Sequence, residues 1–219
     1  MFLDAVNSSA GTATAFDSST GIVFDDVYAP WREWEPSRIS HHGSACCEVV
    51  REWIVATDYS FLNAADVLTG PRWLRQRFEW GPSTYPLYWC ELMKKSQLDC
   101  GVLAALSHEV FTNRGVRCFR TQLVQEFSSS AAAQWRTAWE DDDAITAWIR
   151  DDRIYHEGCA VVVRGDELKL WDSSAGWWMD PKTTSGYGSL LAVRVSVNQK
   201  GEFKWGSHVI EPNKWVRLT

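Results

Sequence analysis

The sequence predicts an α+β fold in which a central helix packs on an antiparallel sheet. Helix-period apolar patterns dominate up to about residue 149, and short β-type runs bounded by turn residues dominate from Cys159 onward. Behind Asp99-Cys100-Gly101 comes Val102-Leu103-Ala104-Ala105-Leu106, apolar enough for a buried helix. No internal repeat and no clean linker divides the chain, so residues 23–219 read as one domain behind a tail at 1–22.

Residues 1–22 are rich in Ser, Thr, Ala and Gly and read as a loosely held tail, or at most an edge strand. Residues 23–90 form a Trp-rich portion, irregular around Pro30, Trp31, Trp34 and Pro36 and helical beyond His41-His42. Val49, Val50, Trp53 and Ile54 fit an amphipathic helix over 47–57. Asn63 is a cap for a short helix at 64–69, and Pro71 opens another that runs to about Phe78. Gly81-Pro82 and Pro86 make the approach to Cys90 a loop or a short extended segment.

Asp99 is the N-cap of the central helix, on which Val102, Leu103, Leu106 and Val110 share a face, and Asn113-Arg114-Gly115 stops it. Residues 116–124 read as a strand. Ser128–Ser130 starts a helix carrying Trp135 and Trp139, and Glu140–Asp143 starts a further helical stretch through Ile145, Trp148 and Ile149. Cys159–Val163 and Leu168–Trp171 then flank Arg164-Gly165-Asp166-Glu167 as a hairpin. Leu190–Val197 and Glu202–Trp205 flank residues 198–201 as a second one, and Val209-Ile210 and Trp215–Leu218 are short strands.

Composition excludes several classes. Hydrophobic residues make up 45% and charged residues 23%, the balance of a soluble globular protein. A formal net charge of −6 argues against a nucleic-acid surface, and no apolar run reaches membrane-spanning length. The N-terminus lacks the basic and apolar regions of a secretory signal, so a reducing cytoplasm is the expectation. Cys46, Cys47, Cys90, Cys100, Cys118 and Cys159 form no CxxC framework and read as free thiols. His41-His42 with Cys46-Cys47 offers metal-ligating atoms, but at a spacing that fits no standard site. A solvated loop running into a helix is the favoured reading, and neither metal nor cofactor is expected. The 14 tryptophans read mostly as core or cleft lining.

Chemistry concentrates on Cys100. A thiol in the first turn of a helix feels the positive end of the dipole, which favours thiolate. It needs a base and an orienting group for that base. His108, on the same helix, lies about 12 Å along the axis and cannot serve. His41 and His42 sit in a loop, and His208 has no strong context. His156 directly precedes the strand Cys159–Val163. Asp172 follows it by sixteen residues and ends the partner strand. If Val163 pairs with Glu167 across Arg164–Asp166, Asp172 opposes Gly158 and shares a face with His156, roughly 7–8 Å away at Cα. Asp151, Asp152 and Asp180 compete with Asp172 for the orienting role. Gln97, three residues before the cysteine, is a candidate oxyanion donor beside the backbone N–H of Cys100.

The order Cys100, His156, Asp172 resembles that of the papain-like and transglutaminase-like cysteine enzymes, in which a cysteine starts a central helix and the His and Asp or Asn sit on neighbouring strands. Asn113-Arg114-Gly115-Val116, followed by a strand, is similar to the helix-to-strand passage of the transglutaminase-like core. Asp99-Cys100-Gly101, the His-to-Asp interval and Gly176 soon after the Asp are similar to the bacteriocin-processing cysteine peptidases. The resemblance covers about residues 90–180. Papain-like enzymes carry an oxyanion glutamine six residues before the cysteine, where this chain has Lys94. Transglutaminase-like enzymes have an aromatic residue soon after the His, where this chain has Glu157-Gly158-Cys159.

The resemblance implies a thiol hydrolase or acyltransferase that passes through an acyl-thioester on an amide or thioester bond. Peptidase, amidase, deamidase and transglutaminase-like outcomes stand open. Its partner would be a peptide, protein or acyl-carrier substrate, with no nucleic acid and no membrane. The competing expectation is a non-catalytic binding module of the same fold that uses a Trp-rich surface.

Overall fold

The computed structural model describes residues 15–16, 23–24, 26–42, 45–61, 66–138, 147–180, 188–198 and 201–218. Its helices are α1 (Ala45–Phe61), α2 (Trp73–Arg77), α3 (Cys100–Asn113) and α4 (Ser129–Ala138). Its strands are β1 (Ala15–Phe16), β2 (Val23–Phe24), β3 (Glu79–Trp80), β4 (Gln97–Leu98), β5 (Cys118–Glu126), β6 (Ile149–Arg150), β7 (Arg153–Arg164), β8 (Glu167–Asp172), β9 (Trp177–Met179), β10 (Ser189–Ser196), β11 (Phe203–Trp205), β12 (His208–Ile210) and β13 (Trp215–Arg217). The fold is α+β.

One sheet dominates, in the order β12-β11-β8-β7-β5-β10-β13, with β6 on β7 and β9 on β8. Every pairing in it is antiparallel except β11 on β8. The sheet curls until it is nearly closed. Asn213, between β12 and β13, both accepts from the Val197 N–H at 3.0 Å and donates to the Val197 carbonyl at 2.7 Å, just past the end of β10. Leu123, Ala160, Leu170, Val193, Phe203 and Trp205 form a core on one face of this sheet.

The helix α3 is buried on both sides. Val102, Leu103, Leu106 and Val110 pack with Val50 and Ile54 of α1, Trp73 and Leu74 of α2, and Leu92 of a 3-10 helix at Trp89–Lys94. Ala104 and Phe111 pack against Cys159, Val161 and Trp171 on the sheet. Each fully buried leucine contributes about 1.5–3 kcal/mol, so this helix is held by packing far more than by propensity. At its C-terminal end Arg114 donates to both oxygens of Asp58, each at 2.6 Å, and Trp73 donates to Asp58 at 2.8 Å.

The β7–β8 register agrees with the sequence expectation from Cys159↔Trp171 through Val162↔Leu168, and the turn does not. Arg164, not Val163, pairs with Glu167. The turn is therefore the two residues Gly165-Asp166, with Gly165 at φ 57°, and Val163 is absorbed in a bulge. The strand carrying His156 also begins earlier than expected, at Arg153.

Other expectations are corrected. The second hairpin does not exist: β10 pairs with β5 and β13, while β11 crosses to β8 and turns back into β12. Residues 66–69 form an Asp66-centred turn, not a helix, because the Asp66 carboxylate takes the Leu68 N–H at 3.0 Å. The expected cap Asn63 lies outside the described residues. Pro71 precedes α2 rather than opening it. Ile149 is a strand residue, paired with Ile154. The tail expected at 1–22 falls almost wholly outside the described residues, except that β1 pairs with β2. Among the described residues no helix is long and apolar enough to cross a membrane.

Candidate active site

Cys100 stands at the first position of α3 because Asp99 caps the helix. The Asp99 carboxylate accepts the Val102 N–H at 2.8 Å and the Tyr85 hydroxyl at 2.7 Å, and the Asp99 N–H donates to Ser83 Oγ at 2.9 Å. A helix leaves its first N–H groups without intrahelical acceptors. With Val102 bound to the cap, the N–H groups of Cys100 and Gly101 are the helix-end donors nearest the thiol.

His156 and Asp172 come from adjacent strands, as the register requires. Asp172 Oδ1 lies 3.0 Å from His156 Nε2. The same oxygen accepts the N–H groups of Ser174 and Ala175, each at 3.0 Å, so the turn after β8 fixes the carboxylate. Nε2 being taken, Nδ1 is the ring nitrogen left for Cys100, whose thiol and the imidazole shift each other's ionisation. The three groups are buried: relative exposure is 3% at Cys100, 7% at His156 and 0% at Asp172.

Burial and charge compete here. Burial pulls the His156 imidazole down, but the charge and hydrogen bond of Asp172, with support from Cys100, outweigh it and hold the imidazole well above its usual value. Burial pushes the Cys100 thiol up. His156 pulls it down by hydrogen bond and charge, while Asp99 and Glu157 add to the rise. The helix terminus alone favours a thiolate, yet desolvation is the larger influence. The thiol can ionise here only as one half of a pair with the imidazolium.

A second polar network braces the site from behind. Glu157, next to His156 on β7, is buried and accepts from Arg120 at 2.5 Å, Ser37 Oγ at 2.7 Å, the Ser37 N–H at 3.0 Å and the Tyr155 hydroxyl at 3.1 Å. Arg120 also donates to the carbonyls of Ser37 at 2.8 Å and Gly101 at 2.9 Å. The strand β5, the segment around Ser37 and the first turn of α3 are thus tied together. Gly101 has to be glycine, because a Cβ there would fall on Ser37 Oγ. Sequence reading missed Ser37, Arg120 and Glu157. The available signal was a charged residue in the interior of each of two largely buried strands.

Beside His156 opens a cavity of about 120 Å³, lined by Ser174, Trp80, Phe127, Trp135 and Trp148 among others. Cys100 does not line it, so the imidazole is the group of the three that faces this space. A wider polar cleft of about 590 Å³ reaches Ser37 and Arg120 but none of the three.

The remaining candidates scatter. Gln97 is exposed on β4 with its amide against Gly81, and no described contact ties it to the three. His108 sits on α3, its ionisation held down by burial and then by Arg120. His208 lies beside Trp205 on β12. Trp178 packs on Phe111 and Trp171 and so belongs to the core, while Trp177 is exposed. Asp151 is exposed in the turn before β7, Asp152 takes the Ser129 hydroxyl at 2.7 Å, and Asp180 is exposed, so none replaces Asp172. The metal-ligating atoms of the early loop do gather, but as His42, Cys47 and Cys90 rather than as a set of sequence neighbours. Comparison of the chain with protein-family models, with curated proteins and with solved structures returned no match.

Proposed function

We propose that this chain is a cysteine-nucleophile enzyme that cleaves amide or thioester bonds through an acyl-thioester intermediate, on a papain/transglutaminase-like arrangement. One observation carries the reading: the buried His156–Asp172 pair, joined at 3.0 Å, lies close enough to Cys100 at the start of α3 for the thiol and the imidazole to shift each other's ionisation. In the first half-reaction the thiol proton passes to His156 Nδ1 to give the thiolate–imidazolium pair, and the thiolate Sγ then attacks the carbonyl carbon. The oxyanion faces the backbone N–H groups at the start of α3. His156 then gives its proton to the departing amine or thiol as the scissile bond breaks. Water or an amine attacks the thioester in the second half-reaction, returning a proton through His156 and restoring the thiol. Asp172 holds the imidazole orientation and stabilises its charged form.

The cavity beside His156 supports an apolar acyl group on a peptide, protein or acyl-carrier substrate. A binding module with a Trp-rich surface has less support, since among the described tryptophans only Trp177 is exposed.

An activated ester of an apolar acid, such as p-nitrophenyl phenylacetate, tests the proposal. Intact-mass and peptide mapping should find the acyl group on Cys100, and none there in Cys100→Ser. His156→Ala should acylate slower by about 10²-fold or more. Added glycine methyl ester separates the outcomes, the free acid marking hydrolysis and the amide marking transfer. Acylation spread evenly over the cysteines would overturn the proposal.

A further inference from the structure

We propose that His42, Cys47 and Cys90 bind one thiolate-preferring transition-metal ion, with Zn²⁺ the best fit. This proposal is independent of the Cys100 chemistry. The three ligand atoms all lie within 4.8 Å of one another, and His42 Nδ1 is 3.1 Å from Cys90 Sγ. Tetrahedral zinc has bonds of about 2.3 Å to sulfur and 2.0–2.1 Å to nitrogen. That requires ligand atoms roughly 3.5–3.8 Å apart, so small side-chain adjustments suffice. The atom types suit the ion: two thiolates balance the charge of Zn²⁺, and the neutral imidazole completes three positions. Binding releases the two thiol protons.

The three residues come from three separate pieces of chain, and the first is tied to the third by backbone hydrogen bonds. His42 follows the bridge Ser40↔Tyr88, where the Ser40 N–H donates to Leu87 at 2.7 Å and the Trp89 N–H donates to Ser40 at 3.1 Å. Its ring stacks on Tyr88, with centroids 3.7 Å apart and planes 12° apart, which sets its orientation. Cys47 is buried in the first turn of α1, and Cys90 is half-buried in the 3-10 helix. His42 is exposed, so the fourth position of the ion opens to solvent. An ion there would lock α1 and the 3-10 helix together in the layer that covers α3.

The test uses the full chain, purified from zinc-supplemented culture without chelator and desalted. Inductively coupled plasma mass spectrometry should find about one zinc per chain, and cobalt exchange should give thiolate-to-cobalt charge-transfer absorption. Both should fall at least tenfold in Cys90→Ser and in His42→Ala and persist in Cys100→Ser. Zinc-edge X-ray absorption on the unaltered protein should resolve two sulfur and one imidazole scatterer, a result that holds whether or not the variants fold. Substoichiometric metal, a shell of nitrogen and oxygen alone, metal retained in Cys90→Ser, or a Cys47–Cys90 disulfide in its place would overturn the proposal.

Discussion

At the scale of single residues, the state of His156 is set by Asp172. The imidazole is buried, which by itself would strip its proton, and the carboxylate reverses that. A histidine whose folded value is raised contributes stability in full below its unfolded value of about 6.5, and loses that contribution as pH rises through the folded value. Asp172→Asn removes the charge and leaves burial in command. Denaturant titrations from about pH 6 to about pH 10 should therefore show the variant weakest relative to the parent at the acid end, with the gap closing toward the alkaline end. A gap that stays constant or widens with pH would contradict the assignment. Cys100, His156 and Asp172 were legible in the sequence because each is marked by its immediate neighbours: a cap and an apolar helix, a strand, and a strand end before a turn. Ser37, Arg120 and Glu157 were not. Their contacts span 83 and 120 residues, and nothing local to any of them names the others.

At the scale of elements, the β7–β8 pair is the frame on which the His156 imidazole and the Asp172 carboxylate meet. Its register was reached in the sequence by assuming a three-residue turn, Arg164–Asp166, and it agrees from Val162↔Leu168 to Cys159↔Trp171 because a bulge offsets the shorter turn. The bulge at Val163 changes the turn and leaves the register at His156 untouched. Gly158 lies between His156 and Cys159, where the pairing of β7 with β8 begins, and a Cβ there would come 2.6 Å from the Trp171 carbonyl. That neighbour is backbone, so Gly158→Ala has to push β8 away and carry Asp172 with it. We expect a loss of acylation rate comparable to that of Asp172→Ala, together with destabilisation of about 1–3 kcal/mol from overpacking. Unaltered activity in Gly158→Ala would show that the spacing of these strands is not what positions the pair. The misread second hairpin has a plain cause. The strand β11 has three residues, too few for its pattern to choose among partners, and its true neighbours are β8 and β12.

At the scale of the molecule, α3 is clamped between a helical layer and a curved sheet. The clamp brings position 100 to positions 156 and 172, and Arg120, Glu157 and Ser37 lock that meeting. The layering was foreseeable from helices followed by strands. The near-closure of the sheet was not, because it rests on long-range bonds such as those of Asn213 to Val197. An activated thiol should therefore exist only in the folded chain. The most direct test is site-resolved labelling with iodoacetamide near neutral pH, followed by peptide mass spectrometry. Cys100 should be alkylated at least about tenfold faster than the buried Cys118 and Cys159, through thiolate paired with imidazolium. That advantage should vanish in His156→Ala and in denaturant. Native Cys100 reacting no faster than those two cysteines, or keeping its advantage without His156, would contradict the central claim.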